Sequence, residues 1–167
     1  MILQVGARRA ILAYPQTQTC KIEQLCDVAA SYPDAWIATI ASAPLHLEML
    51  GNAAARRKQQ LPVLLDLDTG MHRTGIAIGR KALELYRGID QHPFLEGSGL
   101  HWHDGHDTFC DENRRAATAQ RHIESLQEFR RQIESEGMPV PFAVAGGAYS
   151  FAYYARTVRM KTKRSVA

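Results

Sequence analysis

The chain has 167 residues, 46% of them hydrophobic and 22% charged, and a formal net charge of +3 at pH 7. This size and composition predict one soluble globular domain with a core of its own. No apolar run approaches the ~20 residues that span a bilayer, and the N-terminus lacks a basic segment followed by a long apolar core. We therefore expect neither a membrane anchor nor a signal peptide.

The cysteines and the charge distribution indicate the compartment and exclude some partners. Cys20, Cys26 and Cys110 include no CxxC pair, which argues against a disulfide framework or a structural zinc site and favours a reducing cytoplasm. Five basic residues and no acid fall within the last twelve positions. The rest of the chain has no basic stripe with interleaved aromatic residues, so we predict no nucleic-acid partner.

Apolar strands alternate with helices from residue 9 to residue 147. The predicted elements are a strand at Arg9–Tyr14, a helix capped by Thr17 or Thr19 that ends at about Ser31, a strand at Asp34–Ile40, a helix at Ala43–Ala55, a strand at Leu61–Leu67, a helix at about Gly79–Ile89, a strand at Leu95–Trp102, a helix at Phe109–Glu136 and a strand at Val140–Ala145. This alternation predicts an α/β fold with parallel strands. Periodicity alone leaves open a doubly wound sheet or part of an eight-stranded barrel. Residues 148–167 form a basic tail without a clean period, and no element is predicted there.

Two carboxylates, an arginine and two glycines follow the third predicted strand. The two-residue period of a strand puts Asp66 and Asp68 on the same face as Leu64, toward a crevice or lumen. The carboxylates either carry chemistry, cap loop amides or pair with Arg73, and Asp68 precedes a Thr-Gly turn signal. Arg73 is either a ligand for a phenolate, carboxylate or phosphate, or part of a surface ion pair.

The fourth predicted strand ends in a histidine-rich run. His101, His103 and His106 fall within six residues, and Asp104 is placed to orient an imidazole from this loop. Such a cluster suits a metal site, a general acid or base near neutral pH, or hydrogen bonding within a loop. No matching ligand is evident in a second segment, so we predict no metal ligands in this chain.

The fifth predicted strand ends in two glycines. Backbone amides at Gly146 and Gly147 are unobstructed by side chains, which is typical of a phosphate cradle. Two glycines alone are a weak signal. They gain weight because ligands of α/β folds gather at the carboxyl ends of the strands, where the other two clusters also lie.

Taken together, the motifs resemble the fold type III pyridoxal-phosphate enzymes, with the alanine racemase N-terminal barrel, and within them the D-threonine aldolase and D-serine dehydratase branch. Ile11–Pro15 resembles that branch's third strand, Asp66–Gly75 its fifth, Gly99–His106 its sixth, and Val144–Gly147 the start of its glycine-rich phosphate turn. The order and spacing of these segments make the resemblance specific.

The resemblance implies a partial (β/α)8 TIM-type barrel over residues 1–147, with about five of the eight units, from the third to the seventh strand. It implies pyridoxal 5'-phosphate at the mouth, with Arg73 and His101 near the ring and Gly146 and Gly147 near the phosphate. It also implies a lyase acting on D-3-hydroxy-amino acids, with His101, His103 or His106 as acid or base. A divalent metal belongs to the intact family, with its ligands outside this chain.

The sequence departs from the family pattern at several points. The family's Schiff-base lysine lies on the first strand, and no lysine here stands at a predicted strand exit. The phosphate turn reads Gly-Gly-Ala-Tyr-Ser in place of Gly-Gly-Gly-Thr, and neither an eighth strand nor the C-terminal β domain is recognisable. We therefore expect a fragment that is inactive alone, has an out-of-phase tail after residue 147, and associates with a second copy or a complementing chain.

Two other functions compete with this interpretation. The first is a haloacid-dehalogenase-like phosphotransferase, in which Asp66 is phosphorylated and Asp68 is the acid or base. That motif has a threonine two residues after the second aspartate, whereas this chain has Gly70 there. In the second, the chain is a vestigial or non-catalytic domain that binds pyridoxal phosphate without turnover.

Overall fold

The computed structural model describes residues 2–108 and 110–157. After a 3₁₀ turn at Ile2–Val5, the elements are β1 (Arg9–Leu12), α1 (Thr19–Ser31), β2 (Trp36–Ala41), α2 (Pro44–Arg56), β3 (Leu61–Leu67), α3 (Arg80–Asp90), β4 (Leu95–Trp102), α4 (Glu112–Ser135), β5 (Phe142–Ala145) and α5 (Phe151–Thr157). The predicted alternation is confirmed, and the bounds of β3 and β4 are those predicted. No helix in the described ranges is both long and apolar enough to cross a membrane.

The five strands form one parallel sheet in the order β1-β2-β3-β4-β5. Strand order thus follows chain order, whereas a doubly wound sheet reverses direction at a switch point. The prediction of an α/β half-barrel is confirmed, and the open-sheet alternative is wrong. Within the described residues β1 pairs only with β2, and β5 pairs only with β4.

Alternate residues of β3 face two different environments. Val63, Leu65 and Leu67 belong to the main core between the sheet and the helices, whereas Leu64 belongs to a smaller cluster with Ala38 and Ile40 on the concave face. At the amino ends of the strands, the rings of Trp36 and Phe142 lie 4.9 Å apart although β2 and β5 are not neighbours. The guanidinium carbon of Arg9, on β1, lies 5.6 Å from the Phe142 ring centre. The sheet is therefore strongly curved, and side chains close the bottom of the half-barrel.

A β-bulge in β4 changes which residues face the lumen. Val63 pairs with Gly97 but Leu64 pairs with Gly99, so Ser98 has no partner on β3. Gly99 follows this extra residue with a φ of +126°, and a Cβ there would lie 1.9 Å from the carbonyl oxygen of Phe142. Counting by twos from Leu95, which is packed in the helix-side core, would place His101 on the helix side. The bulge moves His101 to the concave face.

The helix ends differ from the predictions in identifiable ways. The N-cap of α1 is Gln18 and makes no side-chain cap bond, so the predicted threonine cap is wrong. Helix α4 begins at Glu112 because the Asp111 side chain accepts a hydrogen bond of 2.7 Å from the amide of Arg114. The predicted start, Phe109, lies outside the described residues, as does the tail beyond residue 157.

A short helix, α5, occupies part of the segment for which no element was predicted. Tyr154 is its one buried side chain among those described. The Tyr154 hydroxyl donates to Asp104 Oδ2 at 3.0 Å. One buried position gives no visible period, which is why the sequence pattern does not reveal this helix.

Asp104 links the last two βα units. Its carboxylate is buried and also accepts a 2.6 Å hydrogen bond from Ser150 Oγ, while His122 of α4 lies at ion-pair distance, 3.7 Å from Oδ2 to Nδ1. Burial by itself raises the pKa of Asp104, but His122 and the two hydroxyls outweigh burial and hold the pKa below its usual range. The carboxylate is therefore ionised at neutral pH and holds the turn after β5 against β4.

Gly99→Ala tests the bulge. The new Cβ meets the Phe142 carbonyl, so we expect a loss of unfolding free energy about 2 kcal/mol larger than for Gly137→Ala. Gly137 also has a positive φ, +84°, but has open space around it and therefore isolates the backbone cost, about 1–2 kcal/mol. Urea unfolding followed by tryptophan fluorescence measures both variants. Equal losses would contradict the packing assigned to the bulge.

Asp104→Asn tests the buried carboxylate. We expect a loss of about 1–3 kcal/mol in unfolding free energy at pH 7, because hydrogen bonds to a buried ionised group are weakened. The folded state lowers this pKa, so the stabilisation is full above the unfolded value of about 4 and disappears as pH falls through the folded value. The difference between wild type and variant should therefore shrink below about pH 4. Asp34→Asn, at an exposed loop position, is the control; a pH-independent difference for Asp104 would contradict the assignment.

Candidate functional site

The carboxyl ends of β3 and β4 bring Asp66 and His101 together on the concave face. The two residues are register partners in the parallel ladder, and Asp66 Oδ1 lies 2.6 Å from His101 Nδ1. Asp66 is 2% exposed and His101 is 8% exposed. The second carboxylate oxygen, Asp66 Oδ2, is buried without a hydrogen-bond partner among the described residues. A buried histidine–carboxylate pair of this kind is able to hold or move a proton.

Asp68, by contrast, builds the loop that follows β3. Its Oδ1 accepts from the amides of Gly70 (2.9 Å) and His72 (3.0 Å), and its Oδ2 lies 2.7 Å from His72 Nδ1. Burial raises the pKa of Asp68, but these bonds outweigh burial and lower it overall. The loop then returns to β3 at Gly75, where a Cβ would lie 2.5 Å from the amide nitrogen of Asp68. Of the alternatives predicted for Asp68, the structure shows the capping of loop amides in a turn.

Arg73 lies at the mouth with its charge unpaired. It is exposed, and no ion pair or hydrogen bond joins it to another described residue. The predicted alternative in which Arg73 pairs with Asp66 or Asp68 is therefore wrong, because those carboxylates bond to His101 and His72. Arg73 lines a small cleft of about 10 Å³ together with Asp66 and His103. Its guanidinium is available to an anion that enters the mouth.

The other two predicted histidines lie in the loop after β4. His103 Nδ1 is 3.3 Å from the carbonyl oxygen of Gly146, and the His103 carbonyl accepts from Thr69 Oγ1 at 3.1 Å. His106 Nε2 lies 3.5 Å from Asp107 Oδ1. Asp104 contacts none of the three predicted histidines; the imidazole beside its carboxylate is that of His122 on α4. The contacts nevertheless join the loops after β3, β4 and β5 into one mouth.

The two amides of the glycine turn after β5 already have hydrogen-bond acceptors within the chain. The Gly146 amide donates to the carbonyl of Trp102 at 3.1 Å, and the Gly147 amide donates to Ser150 Oγ at 2.8 Å. Gly147 is buried, and a Cβ there would lie 2.8 Å from Asp104 Oδ1. The absence of a side chain is thus required for close packing. Phosphate binding by these two amides stays a prediction, since a phosphate would have to replace acceptors that are already present.

Sequence reasoning missed two histidines near this end of the sheet. His46 accepts a hydrogen bond on Nδ1 from the amide of Ser42 at 3.1 Å. Burial lowers the pKa of His46, and the nearby negative charge of Asp66 partly opposes this. His122 meets Asp104 and Asp107, with ligand atoms of the three within 4.8 Å of one another. His122 comes from a segment distant in the sequence, which is why the histidine-rich run showed no partner for Asp104 there. We assign Asp104, Asp107 and His122 a structural role, because Asp104 already accepts hydrogen bonds from two hydroxyls.

The described lysines lie away from the mouth. Lys21 is on α1, Lys58 is in the connector before β3 and Lys81 is in the first turn of α3; all three are exposed. Lys161 and Lys163 lie outside the described residues. Within the described ranges, no lysine stands on a strand or in the loops after β3, β4 and β5.

Comparisons with known proteins agree with this architecture. The structure is similar to that of D-threonine aldolase from Filomicrobium marinum, with a TM-score of 0.78 and 19% identity over 93% of this chain and 47% of that chain. It is also similar to D-threo-3-hydroxyaspartate dehydratase (0.74; 14% identity; 89% and 43% covered) and to an alanine racemase-like protein from Idiomarina loihiensis (0.67; 16% identity; 83% and 41% covered). This chain spans less than half the length of each. A search of curated proteins gave no significant match.

The sequence itself identifies the family. Residues 18–162 match the family model of the alanine racemase N-terminal domain. This match covers most of the chain, and the sequential parallel half-barrel agrees with it. The predicted resemblance to the fold type III pyridoxal-phosphate enzymes is confirmed. The chain belongs to the alanine racemase N-terminal domain family.

Proposed function

We propose that this chain supplies the cofactor-binding mouth of a pyridoxal-phosphate-dependent lyase that acts on D-3-hydroxy-amino acids. The observation that carries the proposal is the buried Asp66–His101 pair at the same mouth as the unpaired guanidinium of Arg73. Two similar structures are named for D-threonine and D-threo-3-hydroxyaspartate, both 3-hydroxy-amino acids. The family match supports the cofactor class.

The residues present fit part of such a cofactor. Bound pyridoxal phosphate supplies an electron sink for the bond broken at the substrate α-carbon. Arg73 would bind an oxygen of the cofactor, because its fork of donors has no competing partner in the described chain. His101, His103 and His106 would exchange protons at the mouth, and Asp66 Oδ2 offers an unused buried acceptor. Gly146 and Gly147 are the proposed phosphate contacts.

The position of the described lysines supports a chain that binds the cofactor without turnover. All three are exposed and stand away from the strand exits, so covalent attachment needs a lysine outside the described ranges. This arrangement equally suits the non-catalytic alternative. The lyase proposal and the non-catalytic alternative differ in whether activity appears once a second chain provides the lysine. The three thiols, all free, support a cytoplasmic location.

Pyridoxal phosphate binding tests the proposal. We expect the full chain to bind pyridoxal phosphate noncovalently, and Arg73→Ala to weaken binding about 10- to 100-fold through loss of a charge-assisted hydrogen bond. Equilibrium dialysis with absorbance detection measures the dissociation constants. Arg80→Ala is the matched control, because Arg80 is also exposed but pairs with Glu84 on α3.

Borohydride reduction and turnover assays complete this test. We expect no site-specific lysyl adduct after reduction and no cleavage of D-threonine by the isolated chain. Equal binding by wild type and Arg73→Ala would overturn the assigned mouth. Cleavage of D-threonine by the isolated chain, together with a site-specific lysyl adduct after reduction, would show that the chain contains its own nucleophilic lysine.

The open edges of the sheet support association with another chain. β1 and β5 each have an unpaired side within the described residues, and they carry half-exposed apolar side chains, Leu12 (38%) and Val144 (39%). Unpaired edges with apolar residues are sites of strand addition. We propose that a second copy or a complementing chain covers them.

Sedimentation velocity tests this association. We expect concentration-dependent association of the full chain, weakened about tenfold in a Leu12→Lys/Val144→Lys variant because edge charges oppose strand pairing. Leu45→Lys, at a similarly exposed position on α2, is the control and should change nothing. A soluble monomer with a cooperative thermal transition would contradict the proposal.

A further inference from the structure

The Asp66–His101 pair constrains the proton on the imidazole. A carboxylate next to Nδ1 accepts a hydrogen bond, so the proton of a neutral His101 resides on Nδ1. Nε2 lies on the opposite side of the ring and has no hydrogen-bond partner in the described chain. Among the described residues, Nε2 is not one of the polar atoms buried without a partner, and the His101 side chain is 11% exposed. Nε2 is therefore the nitrogen that faces whatever enters the lumen.

The same pair is poorly arranged for stability alone. Asp66 is almost fully buried and only one of its oxygens is satisfied, and a buried unsatisfied acceptor costs free energy. Residues that serve only packing at this depth of the sheet are apolar, as Leu64 and Ile40 are on the same face. The unsatisfied oxygen therefore points to a role in the site.

We propose that Asp66 is a positioning residue that fixes His101 as the Nδ1–H tautomer and so makes Nε2 the proton acceptor at the mouth. This inference rests on the proposed function for its chemical purpose, but the tautomer itself does not depend on any ligand. When Nε2 takes a proton, the adjacent carboxylate stabilises the resulting imidazolium. Asp66 acts through His101, whereas His101 is the residue that would contact substrate or cofactor.

Nuclear magnetic resonance of ¹⁵N-histidine-labelled full chain reads the tautomer directly. Among the seven histidines, His101 is assigned by the signal lost in His101→Gln. We expect wild-type His101 to show a protonated Nδ1 and a bare Nε2 at a pH where the ring is neutral. In Asp66→Ala the proton should move mainly to Nε2, as in free imidazole, while Asp66→Asn should retain Nδ1–H through its amide oxygen.

The exposed pair on the neighbouring loop is the matched control. His72 Nδ1 lies 2.7 Å from Asp68 Oδ2, but the His72 side chain is 81% exposed. Asp68→Ala should leave the His101 tautomer unchanged. The wild-type spectrum remains decisive even where a variant fails to fold, because an Nε2–H tautomer in wild type overturns the inference. An unchanged tautomer in folded Asp66→Ala overturns it as well.

Cofactor affinity separates this inference from the proposed function. If the tautomer behaves as expected but wild type does not bind pyridoxal phosphate, the proposed function fails and the positioning role stands. If pyridoxal phosphate binds but wild-type His101 carries its proton on Nε2, the positioning role fails and the proposed function stands.

Discussion

The one-residue bulge at Ser98 is the constraint on which the candidate site depends. Strand β4 begins with Leu95 in the helix-side core, and without an extra residue His101 would face the same core. The bulge reverses the parity, so that His101 becomes the register partner of Asp66 on the concave face. Gly99 makes this possible because its backbone approaches Phe142 too closely for any side chain. A local irregularity in one strand thereby determines which side of the sheet carries the chemistry.

The curvature of the sheet divides the concave face into two layers with different roles. At the amino ends Trp36 and Phe142 close the bottom with apolar and aromatic contacts. At the carboxyl ends the same face carries Asp66 and His101, where burial makes an ionic pair expensive unless it is well hydrogen-bonded. Apolar packing is therefore found at the bottom and beneath the helices, whereas the mouth carries polar groups. This division is general for barrels of parallel strands.

Sequence reasoning found the elements whose signal is local and missed the features that depend on distant contacts. The branched apolar run of β3 and the alternation of strands with helices were sufficient for a parallel α/β fold, and the resemblance of the motifs to a known family was needed to predict the half-barrel. The Asp-Leu-Asp-Thr-Gly run also indicated the turn formed by Asp68. The bulge at Ser98, which changes the face of the sheet toward which the later side chains of β4 point, could not be predicted from the sequence. A bulge is defined by the pairing with the partner strand. Tyr154 and Ser150 bond to Asp104 from 50 and 46 residues away, which leaves no local pattern to detect.

The arrangement around Asp104 shows how the mouth is supported where its own strands end. Its ionised carboxylate accepts a hydrogen bond from Ser150 Oγ, and that oxygen accepts a hydrogen bond from the amide of Gly147. The buried charge of Asp104 thus fixes the backbone of the glycine turn. The same contact occupies an amide that a phosphate would use and places a negative charge behind it. The Arg73 guanidinium, by contrast, is exposed and has no ion-pair or hydrogen-bond partner among the described residues. The electrostatics of the described residues therefore favour an anion at Arg73 over an anion at the glycine turn.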